Sequence, residues 1–567
     1  RVQYRRLEIY NPHLYYVEIT LFDGDEPVDK IRERFGFRTA KFTEEGFYLN
    51  EEIIKLRGLS RHQSYPYVGN AMPKSAQVED ADILKYKLGV NIVRCANYLP
   101  STHFLNRCDE IGLLVYVEIP GWNHIGSKEW QEVSLNNLKA MIKRDKNHPS
   151  VILWGVRISG SEDNEEFYLK TNQLAHQLDD TRQTGGSRSI FNSKLLEDVY
   201  TFDDFTYKKK RYISNKKKVA GNVSYLLTGH NGPLYPTKSY DNEKIVLEQG
   251  LRHLHVLNEV FDEKSNISGA IGWTFADYNT HSEFGSEDKI AHFGVLDIFR
   301  NPKLAAYAYA SQRNNEPVLE VTSNLYIGAN PNENLNKLYA FTNCEYLNLY
   351  RNGEYINSFY PDFKNYPHLK HPPIIIDDFI GNSFEKYERF SNKDSEMAKA
   401  LIKKVDISSN NPLKYRLQII YLAQKYHLSY DECLHTLYKY KYSNVSKENT
   451  YRYDGLVGNV VVKSVVTEKT YETDYIIETS RRTLNIGATY DVQRFTIRKV
   501  NQVGQTLTYS FDPIEIEVSG SISLIGPSKV NLYGGLLGFW VKTNGQSGLG
   551  TVKIIGEKTK LETVIVK

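Results

Sequence analysis

Residues 151–164, VILWGVRISGSEDN, place a run of apolar and β-branched residues directly before a short polar segment. The run is typical of a buried strand, and the carboxyl end of such a strand is a common place for catalytic groups. Here the strand ends in Ser159 and Gly160, which carry no ionisable acid. Glu162 and Asp163 follow, and paired carboxylates can perform general acid and base chemistry. Because a helical pattern follows, we expect both acids in a first helical turn, where the helix dipole favours them.

No other set of residues has the spacing of a metal site or a nucleophilic site. The four cysteines contain no C-x-x-C pair, so we expect reduced thiols without a disulfide framework or zinc. The histidines do not share a metal-binding spacing on one element, and no glycine-rich phosphate loop, Cys-His pair or Ser-His-Asp arrangement is visible in the sequence. The sequence therefore predicts neither a metal nor a cofactor.

The charge of the chain is nearly balanced, with 71 Lys and Arg against 68 Asp and Glu. No net field therefore favours nucleic acid or an anionic membrane, and we expect no nucleic-acid partner. The longest basic run, KKKRYISNKKK at 208–218, is interpreted as a solvated loop. No apolar run of about 18 residues exists, which predicts a soluble protein without a membrane span, and the cytoplasm is the favoured compartment. Residue 1 is Arg, so the chain need not begin where its gene begins.

The elements that must position a site are most regular between residues 43 and 315. Short apolar strands alternate there with amphipathic helices, and the clearest strands are IIKLRGL, NIVRC, LLVYVEI, VILWGVR, SYLLTG and GAIGWTF. Together with two weaker strands near 189–205, they predict an eight-stranded parallel (β/α)8 TIM barrel. In such a barrel the carboxyl ends of the strands carry the site.

The rest of the chain is predicted to be mostly β-sandwich, so the fold class is multidomain α/β plus all-β. Residues 1–42 read as a partial immunoglobulin-like sandwich, 316–360 begin a second sandwich, 361–450 form a helical insertion, and 451–567 form a C-terminal sandwich. Two or three strands cannot bury a sandwich core. We therefore expect Tyr15, Val17, Ile19 and Leu21 to be covered by an upstream segment or a partner chain.

Six blocks of the sequence carry a resemblance to a known family. They are KLRGLSRHQSYP, NIVRCANYLPS, DEIGLLVYVEIPGW, RDKNHPSVILWGVR, GAIGWTFADYNTHSEFG and NCEYLNLYRNGEYI. In this order they resemble glycoside hydrolase family 2, and most closely its β-galactosidase-like members. The resemblance implies a barrel between sandwich domains, an N-terminal jelly-roll domain before residue 1, and an oligomer or an association with that missing segment.

The resemblance also implies two catalytic glutamates that this chain lacks. Family members hydrolyse a terminal β-linked sugar with retention, which requires two carboxyl groups about 5–5.5 Å apart. The acid/base lies in a pattern like W-G-x-x-x-N-E, and aligning it without a gap on WGVRISGSEDN gives Ser159 and Gly160. The nucleophile lies in a pattern like T-E-Y-N-G, which is TGHNG here, so its position is Gly229 and the neighbouring Tyr is His230.

Other positions of the implied sugar pocket are partly kept. Arg57, His62, Arg94 and Trp273 match the family, whereas the family's His is Asn97 and one family Asn is Ser60. We predict substrate contacts from Arg57, His62, Arg94, Asn97 and Trp273. With both glutamates gone, unpaired arginines at the mouth favour a carbohydrate or anionic ligand, or pairing with a local acid such as Glu118.

Two functions remain open. The first is a pseudo-glycosidase with a structural, assembly or carbohydrate-binding role. The second is an active retaining exo-β-glycosidase that uses relocated carboxylates, with Glu162, Asp163 and Asp277 as the nearest acids. Distributed loss of site residues favours the first. A pair of carboxyl groups facing each other across the barrel mouth would favour the second.

Overall fold

The structure is a computed structural model that describes residues 5–206, 211–280, 287–322, 337–404, 412–443 and 449–567. Residues 208–210 of the predicted basic loop lie outside the described residues. Five strands precede the central domain: β1 (Tyr15–Asp23), β2 (Glu26–Phe35), β3 (Ala40–Phe42), β4 (Phe47–Leu49) and β5 (Glu52–Ile54). The first two form an antiparallel hairpin, and the next three form a small separate sheet.

The central domain is a ring of eight parallel strands, which confirms the predicted TIM barrel. Its strands are β6 (Leu56–Arg61), β7 (Ile92–Cys95), β8 (Leu114–Glu118), β9 (Val151–Gly155), β10 (Gln183–Gly185), β11 (Tyr200–Asp204), β12 (Tyr225–His230) and β13 (Gly269–Gly272). They pair in the order β10-β9-β8-β7-β6-β13-β12-β11. A parallel bridge between Arg188 and Phe202 spans the remaining gap between β10 and β11. Of the two weaker strands, β11 lies where expected and β10 begins earlier.

Helices cover the outside of this ring. They are α1 (Lys74–Asp82), continued by a π-helical turn over Ile83–Lys87, then α2 (Thr102–Ile111), α3 (Lys128–Asp145), α4 (Glu165–Leu178), α5 (Lys216–Val219), α6 (Glu243–Phe261) and α7 (Leu304–Ala310). Side-chain oxygens of Ser127, Asn164 and Asn242 accept from backbone N–H groups and cap α3, α4 and α6. Short 3-10 turns at Gly232–Leu234 and Glu263–Ser265, and the pair β14 (Tyr278–Asn279) and β15 (Ile290–Ala291), complete the domain.

The inside of the barrel changes from apolar to polar along its axis. The amino-terminal part is filled by fully buried side chains from several strands, including Leu56, Ile92, Leu114 and Tyr116. Alternate residues of a strand face the same side. The next inward positions after Ile92 and Tyr116 are Arg94 and Glu118, so the polar residues lie at the carboxyl end, where barrel sites are built.

The second sandwich extends further than the sequence predicts. It begins with β16 (Leu319–Val321), β17 (Leu338–Thr342), β18 (Tyr346–Arg351), β19 (Glu354–Phe359) and β20 (Ile374–Ile376), and β21 (Tyr451–Val457) and β22 (Val460–Thr467) complete it. Because β21 pairs with β18, residues 451–467 belong to this domain rather than to the C-terminal sandwich. The predicted boundary at 451 is therefore wrong.

The helical insertion is confined to a shorter range than the predicted 361–450. Its helices are α8 (Ser383–Tyr387), α9 (Asn392–Ile402), α10 (Leu413–Lys425) and α11 (Tyr430–Ser443). They pack around a core of their own that includes Phe384, Leu401, Ile419 and Cys433. Residues before this range belong to the second sandwich, because β20 pairs with β17.

The C-terminal sandwich packs two sheets against each other and against the barrel. One sheet contains β23 (Thr473–Thr479), β25 (Val492–Asn501), β27 (Ile522–Ile525) and β29 (Leu536–Thr543). The other contains β24 (Thr483–Leu484), β26 (Pro513–Gly520), β28 (Lys529–Asn531), β30 (Gly548–Ile555) and β31 (Thr559–Val566). Tyr65 of the barrel stacks on Trp540 with ring centroids 3.6 Å apart. None of the helices in the described ranges is long and apolar enough to span a membrane.

Candidate functional site at the barrel mouth

Arg94, at the carboxyl end of β7, is the centre of the polar cluster inside the barrel. Its Nε and Nη2 atoms donate to the two carboxylate oxygens of Glu118 at 2.9 and 3.2 Å. Nη1 donates to Asp203 Oδ1 and to the Thr228 carbonyl, both at 2.8 Å, and Nη2 also donates to Ser159 Oγ at 3.0 Å. A guanidinium has five N–H donors. All five of them are therefore engaged within the protein.

The predicted partner of Arg94 is confirmed, because Glu118 pairs with it and both side chains are almost fully buried. Burial lowers the pKa of Arg94, but Asp203 and Glu118 more than compensate and hold it above its ordinary value. Burial raises the pKa of Glu118, against the opposing effect of Arg94. With one cation between two carboxylates, the cluster carries a formal charge of −1 when both acids are ionised.

Gly160, which the resemblance aligns with the family acid/base, has a left-handed backbone conformation. Gly160 has φ +70°, and a Cβ added there would lie 2.3 Å from Asn123 Oδ1. Its N–H donates to the Ser187 carbonyl at 3.2 Å, and the preceding Ser159 carbonyl accepts from Asn123 N–H at 2.8 Å. Residues with a side chain adopt this conformation at a cost. The loop therefore fits glycine at this position.

Gly229, which the resemblance aligns with the family nucleophile, lies beside the carboxylate of Asp203. A Cβ added to Gly229 would lie 2.9 Å from Asp203 Oδ1 and 3.3 Å from Phe205 Cζ. Asp203 also accepts from Thr228 Oγ1 at 2.7 Å and is buried. Asp203 was not predicted as a site residue. The strand YTFDD ends in two acids, and its assignment as the sixth barrel strand would have placed them at the mouth.

Aromatic rings form one wall of the mouth. His62 lies edge-on to Trp273 at 5.0 Å and packs on Tyr278 at 3.8 Å between ring centroids. Phe205 lies at 90° to Trp273, and the Arg94 guanidinium lies 5.2 Å from the centre of the Trp273 ring. Burial, with a further contribution from Arg94, lowers the pKa of His62 to about 3, so its ring is neutral. This wall presents uncharged ring surfaces.

Four of the predicted contact residues meet at this end of the barrel, and one does not. His62, Arg94 and Trp273 are in contact. Asn97 lies two residues after the end of β7, and its buried Oδ1 has no hydrogen-bond donor among the described residues. Arg57 lies at the opposite end, where Nη2 donates to the Gly89 carbonyl at 2.6 Å. Arg57 was predicted to contact substrate, but it lies near the start of β6, away from the mouth.

Arg61 does not contribute positive charge to the mouth either. It is fully buried between the barrel and α1, where Nε and Nη2 donate to Asp80 at 2.9 and 2.8 Å. Nη1 donates to the Tyr98 hydroxyl at 3.0 Å. Side chains of one strand alternate between the inside and the outside of a barrel, and Arg57 and Arg61 share the outer side with the buried Leu59. Only Arg94 of the three arginines points inward.

Of the acids considered as relocated catalytic groups, Asp163 and Asp277 have other partners. Helix α4 begins at Glu165 with Asn164 as its cap, so Glu162 and Asp163 precede the helix instead of lying in its first turn. Asp163 pairs with Arg157 and accepts from Ser193.

Asp277 is a buried hydrogen-bonding residue, as expected. It accepts from Lys303 Nζ at 2.7 Å and from the Gly294 N–H at 2.8 Å. No group of three or more His, Cys, Asp or Glu in the described part of the chain could hold a metal ion.

Comparisons with known proteins agree with this fold. The family model "Glycosyl hydrolases family 2, TIM barrel domain" matches residues 40–315. A β-galactosidase of Thermoanaerobacterium thermosulfurigenes is 50% identical over 377 residues, which are 65% of this chain and 52% of that protein. A β-galactosidase of Rhizobium meliloti is 31% identical over 549 residues, 93% of this chain and 65% of that protein.

A solved β-glycosidase from Bacteroides vulgatus has a similar fold, with a TM-score of 0.71 at 17% identity, over 98% of this chain and 69% of that one. The chain thus spans about half to two thirds of the length of these relatives. The barrel, the flanking sandwiches and the matched sequences agree, and the chain belongs to glycoside hydrolase family 2.

Proposed function

We propose that this chain is a pseudo-glycosidase, a family 2 barrel that binds carbohydrate without hydrolysing it. The proposal rests on one observation: the carboxylates of Glu118 and Asp203 both accept hydrogen bonds from the guanidinium of Arg94. Retaining hydrolysis needs one carboxylate free to attack the anomeric carbon and one carboxylic acid free to protonate the leaving oxygen. Both inward carboxylates that we identify at this mouth are instead bound to one buried guanidinium.

The arrangement of charge also selects the class of ligand. Because Arg57 and Arg61 face elsewhere and Arg94 is already paired, none of these three arginines is available to an anionic sugar. When both acids are ionised, the Arg94 cluster is formally negative and would repel a carboxylate or sulfate. A neutral sugar ring could pack against the uncharged wall of His62 and Trp273. We therefore propose a neutral sugar as the ligand of the mouth, in place of the anionic ligand considered from the sequence.

A second candidate function is a weak retaining glycosidase that uses Asp203 as nucleophile. One observation favours it: Asp203 Oδ1 lies only 2.9 Å from where the side chain of residue 229 would begin. Asp203 would have to leave Arg94, and Glu118 would have to act as the acid/base. The pairing of both with Arg94 disfavours this function.

The test combines an activity assay with a binding assay on the whole chain. We expect no turnover of aryl β-galactosides, β-glucuronides or β-mannosides above that of an Asp203→Asn variant. Isothermal titration with neutral monosaccharides should show binding that Trp273→Ala abolishes. Hydrolysis that Asp203→Asn removes would establish the second candidate, and absence of both hydrolysis and binding would leave the barrel with a structural role.

A further inference from the structure

A group of aromatic side chains lies where the rim of the barrel adjoins the C-terminal sandwich. We call Tyr67, Tyr240, Phe511 and Tyr533 the junction aromatics. Tyr67 is 59% exposed, Tyr533 51% and Phe511 45%, and Tyr240 is half-buried. Two of them come from loops after barrel strands β6 and β12, and two come from loops of the sandwich. Large exposed aromatic groups that cluster in this way mark binding surfaces.

Close contacts hold the two barrel tyrosines, Tyr67 and Tyr240, against loops of the sandwich. A Cβ added to Gly526 would lie 2.6 Å from both Cδ2 and Cε2 of Tyr67, so the Tyr67 ring edge rests directly on this glycine. Tyr240 meets Phe511 at 5.3 Å between ring centroids, at an angle of 78°. Gly534, next to Tyr533, approaches Tyr240 so closely that its Cβ would lie 3.1 Å from that of Tyr240.

Tyr67 is presented on a turn with a firm base. The backbone groups of Tyr65 and Gly69 form two hydrogen bonds at 3.1 and 2.9 Å, and Tyr65 stacks on Trp540. At the tip, Tyr67 has φ +70°, a left-handed conformation that is unfavourable for a large side chain. Strain of this kind persists where surrounding structure imposes it, and it is concentrated at functional sites. The turn keeps an aromatic ring exposed to solvent.

The same turn begins at the barrel mouth. His62, in the aromatic wall, is five residues before Tyr67, a span of at most about 18 Å. Lys238, whose Nζ lies 5.9 Å from the centre of the Tyr240 ring, is paired with Asp288 at 3.7 Å. The junction aromatics are themselves uncharged rings, and the turn that carries Tyr67 connects them to the mouth along the chain. Flat exposed rings with hydroxyl groups suit the apolar faces and hydroxyl rims of sugars.

We propose that the junction aromatics bind a neutral polysaccharide, as a second carbohydrate-binding surface outside the barrel mouth. The surface holds an extended chain by stacking sugar rings on Tyr67 and Tyr533, with Phe511 and Tyr240 supporting the platform. It goes beyond the proposed function, because binding here does not depend on what the mouth binds or whether the mouth hydrolyses it.

Native affinity electrophoresis of the full chain in gels containing soluble β-galactan, galactomannan or xyloglucan tests this proposal. We expect at least one of these polymers to retard the protein. Tyr67→Ser and Tyr533→Ser should each raise the dissociation constant roughly tenfold, which is about 1.4 kcal/mol. Tyr67→Phe should keep most of the retardation.

The matched control is Tyr360→Ser, which removes a tyrosine that is 66% exposed on the second sandwich and should leave retardation unchanged. Trp273→Ala should abolish monosaccharide binding at the mouth and leave the retardation in the polysaccharide gel unchanged. This variant therefore distinguishes the two surfaces. Retardation by none of the polymers, or equal retardation of the parent and the Tyr67→Ser and Tyr533→Ser variants, would overturn the proposal. Loss of self-association in those variants without any retardation of the parent would indicate a protein interface instead.

Discussion

The Asp203 carboxylate lies beside the Gly229 α-carbon, and a Cβ on Gly229 would stand 2.9 Å from Asp203 Oδ1. Because the same oxygen binds Arg94, the two positions are coupled. A side chain at 229 must displace Asp203, and displacing Asp203 removes a counter-charge from a buried cation. The glycine at position 229 and the pairing of Asp203 with Arg94 are thus parts of one structural arrangement.

The first prediction concerns restoring the nucleophile position. Gly229→Glu should destabilise the protein by about 1–3 kcal/mol, because it overfills a buried site next to a carboxylate. Combining it with Asp203→Ala should recover part of this loss, and the coupling is measured by a double-mutant cycle in urea. Gly160→Glu combined with Gly229→Glu should still give no hydrolysis, since Ser60, Ser159 and Asn97 also differ from the family pattern. The coupling would be contradicted if the changes in unfolding free energy of the two single variants added up to the change in the double variant.

The second prediction concerns the central cation. Arg94→Met should cost about 3–5 kcal/mol at pH 7, because Glu118 and Asp203 would remain buried without a counter-charge. Arg107→Met is the control, since that partly exposed arginine pairs at the surface and should cost at most about 1 kcal/mol. Urea unfolding of the three proteins measures the difference.

The pH dependence of the Arg94→Met variant follows from the same pair of acids. Burial already raises the pKa of Glu118, and removing the opposing effect of Arg94 should raise it further. The folded variant then binds more protons than the unfolded chain and gains more stability than the parent as the pH falls. The difference in unfolding free energy between variant and parent should therefore be smaller at pH 5 than at pH 7. A larger difference at pH 5 would contradict this explanation.

The third prediction concerns buried histidines. Burial lowers the pKa of His230 to about 3, as it does for His62 together with Arg94. The unfolded chain binds protons below the ordinary value of 6.5, and the folded chain does not. Stability should therefore fall as the pH falls from 6.5 towards 3, by up to about 1.4 kcal/mol per pH unit for each histidine.

Variants separate this histidine effect from the other titrating groups. His230→Gln should reduce the slope of unfolding free energy against pH between 6 and 4, measured by urea denaturation. His103→Gln, at an exposed position on α2, should leave the slope unchanged. Equal slopes for the parent and His230→Gln would show that His230 does not remain neutral in the folded state.

The fourth prediction concerns the β1–β2 hairpin. Val17, Ile19 and Leu21 are 43%, 59% and 61% exposed, so the cover predicted for them is not provided by the described residues. Exposed apolar strands associate. Replacing Ile19 and Leu21 with threonine should reduce self-association, measured by multi-angle light scattering, whereas Tyr355→Thr on the second sandwich should not. Unchanged association in the hairpin variant would show that these residues are not the contact.

Several features of the fold could be predicted because they depend on local pattern. The strand that ends at Gly155 and the barrel as a whole follow from apolar runs of the right length. The boundary at 451 was wrong because alternation identifies a strand without identifying its partner, and β21 returns to β18 across the helical insertion. Pairing across such a distance depends on tertiary packing.

The site was harder to predict for a related reason. Family motifs identified His62 and Trp273, but motif membership does not say towards which face a side chain points, and Arg57 was therefore misplaced. Asp203 was missed because its importance arises only from contact with Arg94, which is 109 residues away in the chain. Glu162 and Asp163 were wrongly placed in the first turn of α4, which begins three and two residues after them because Asn164 is its cap.

The hydrogen bonding of Arg94 also bears on the evolutionary history of this barrel. Any single substitution that returns an acid to position 229 meets Asp203, and any single loss of Asp203 leaves Arg94 short of a counter-charge. Each such single substitution is therefore expected to lower stability by itself. Under the proposed function, a return to hydrolysis would need several substitutions at once, so single mutations would rarely reverse the change.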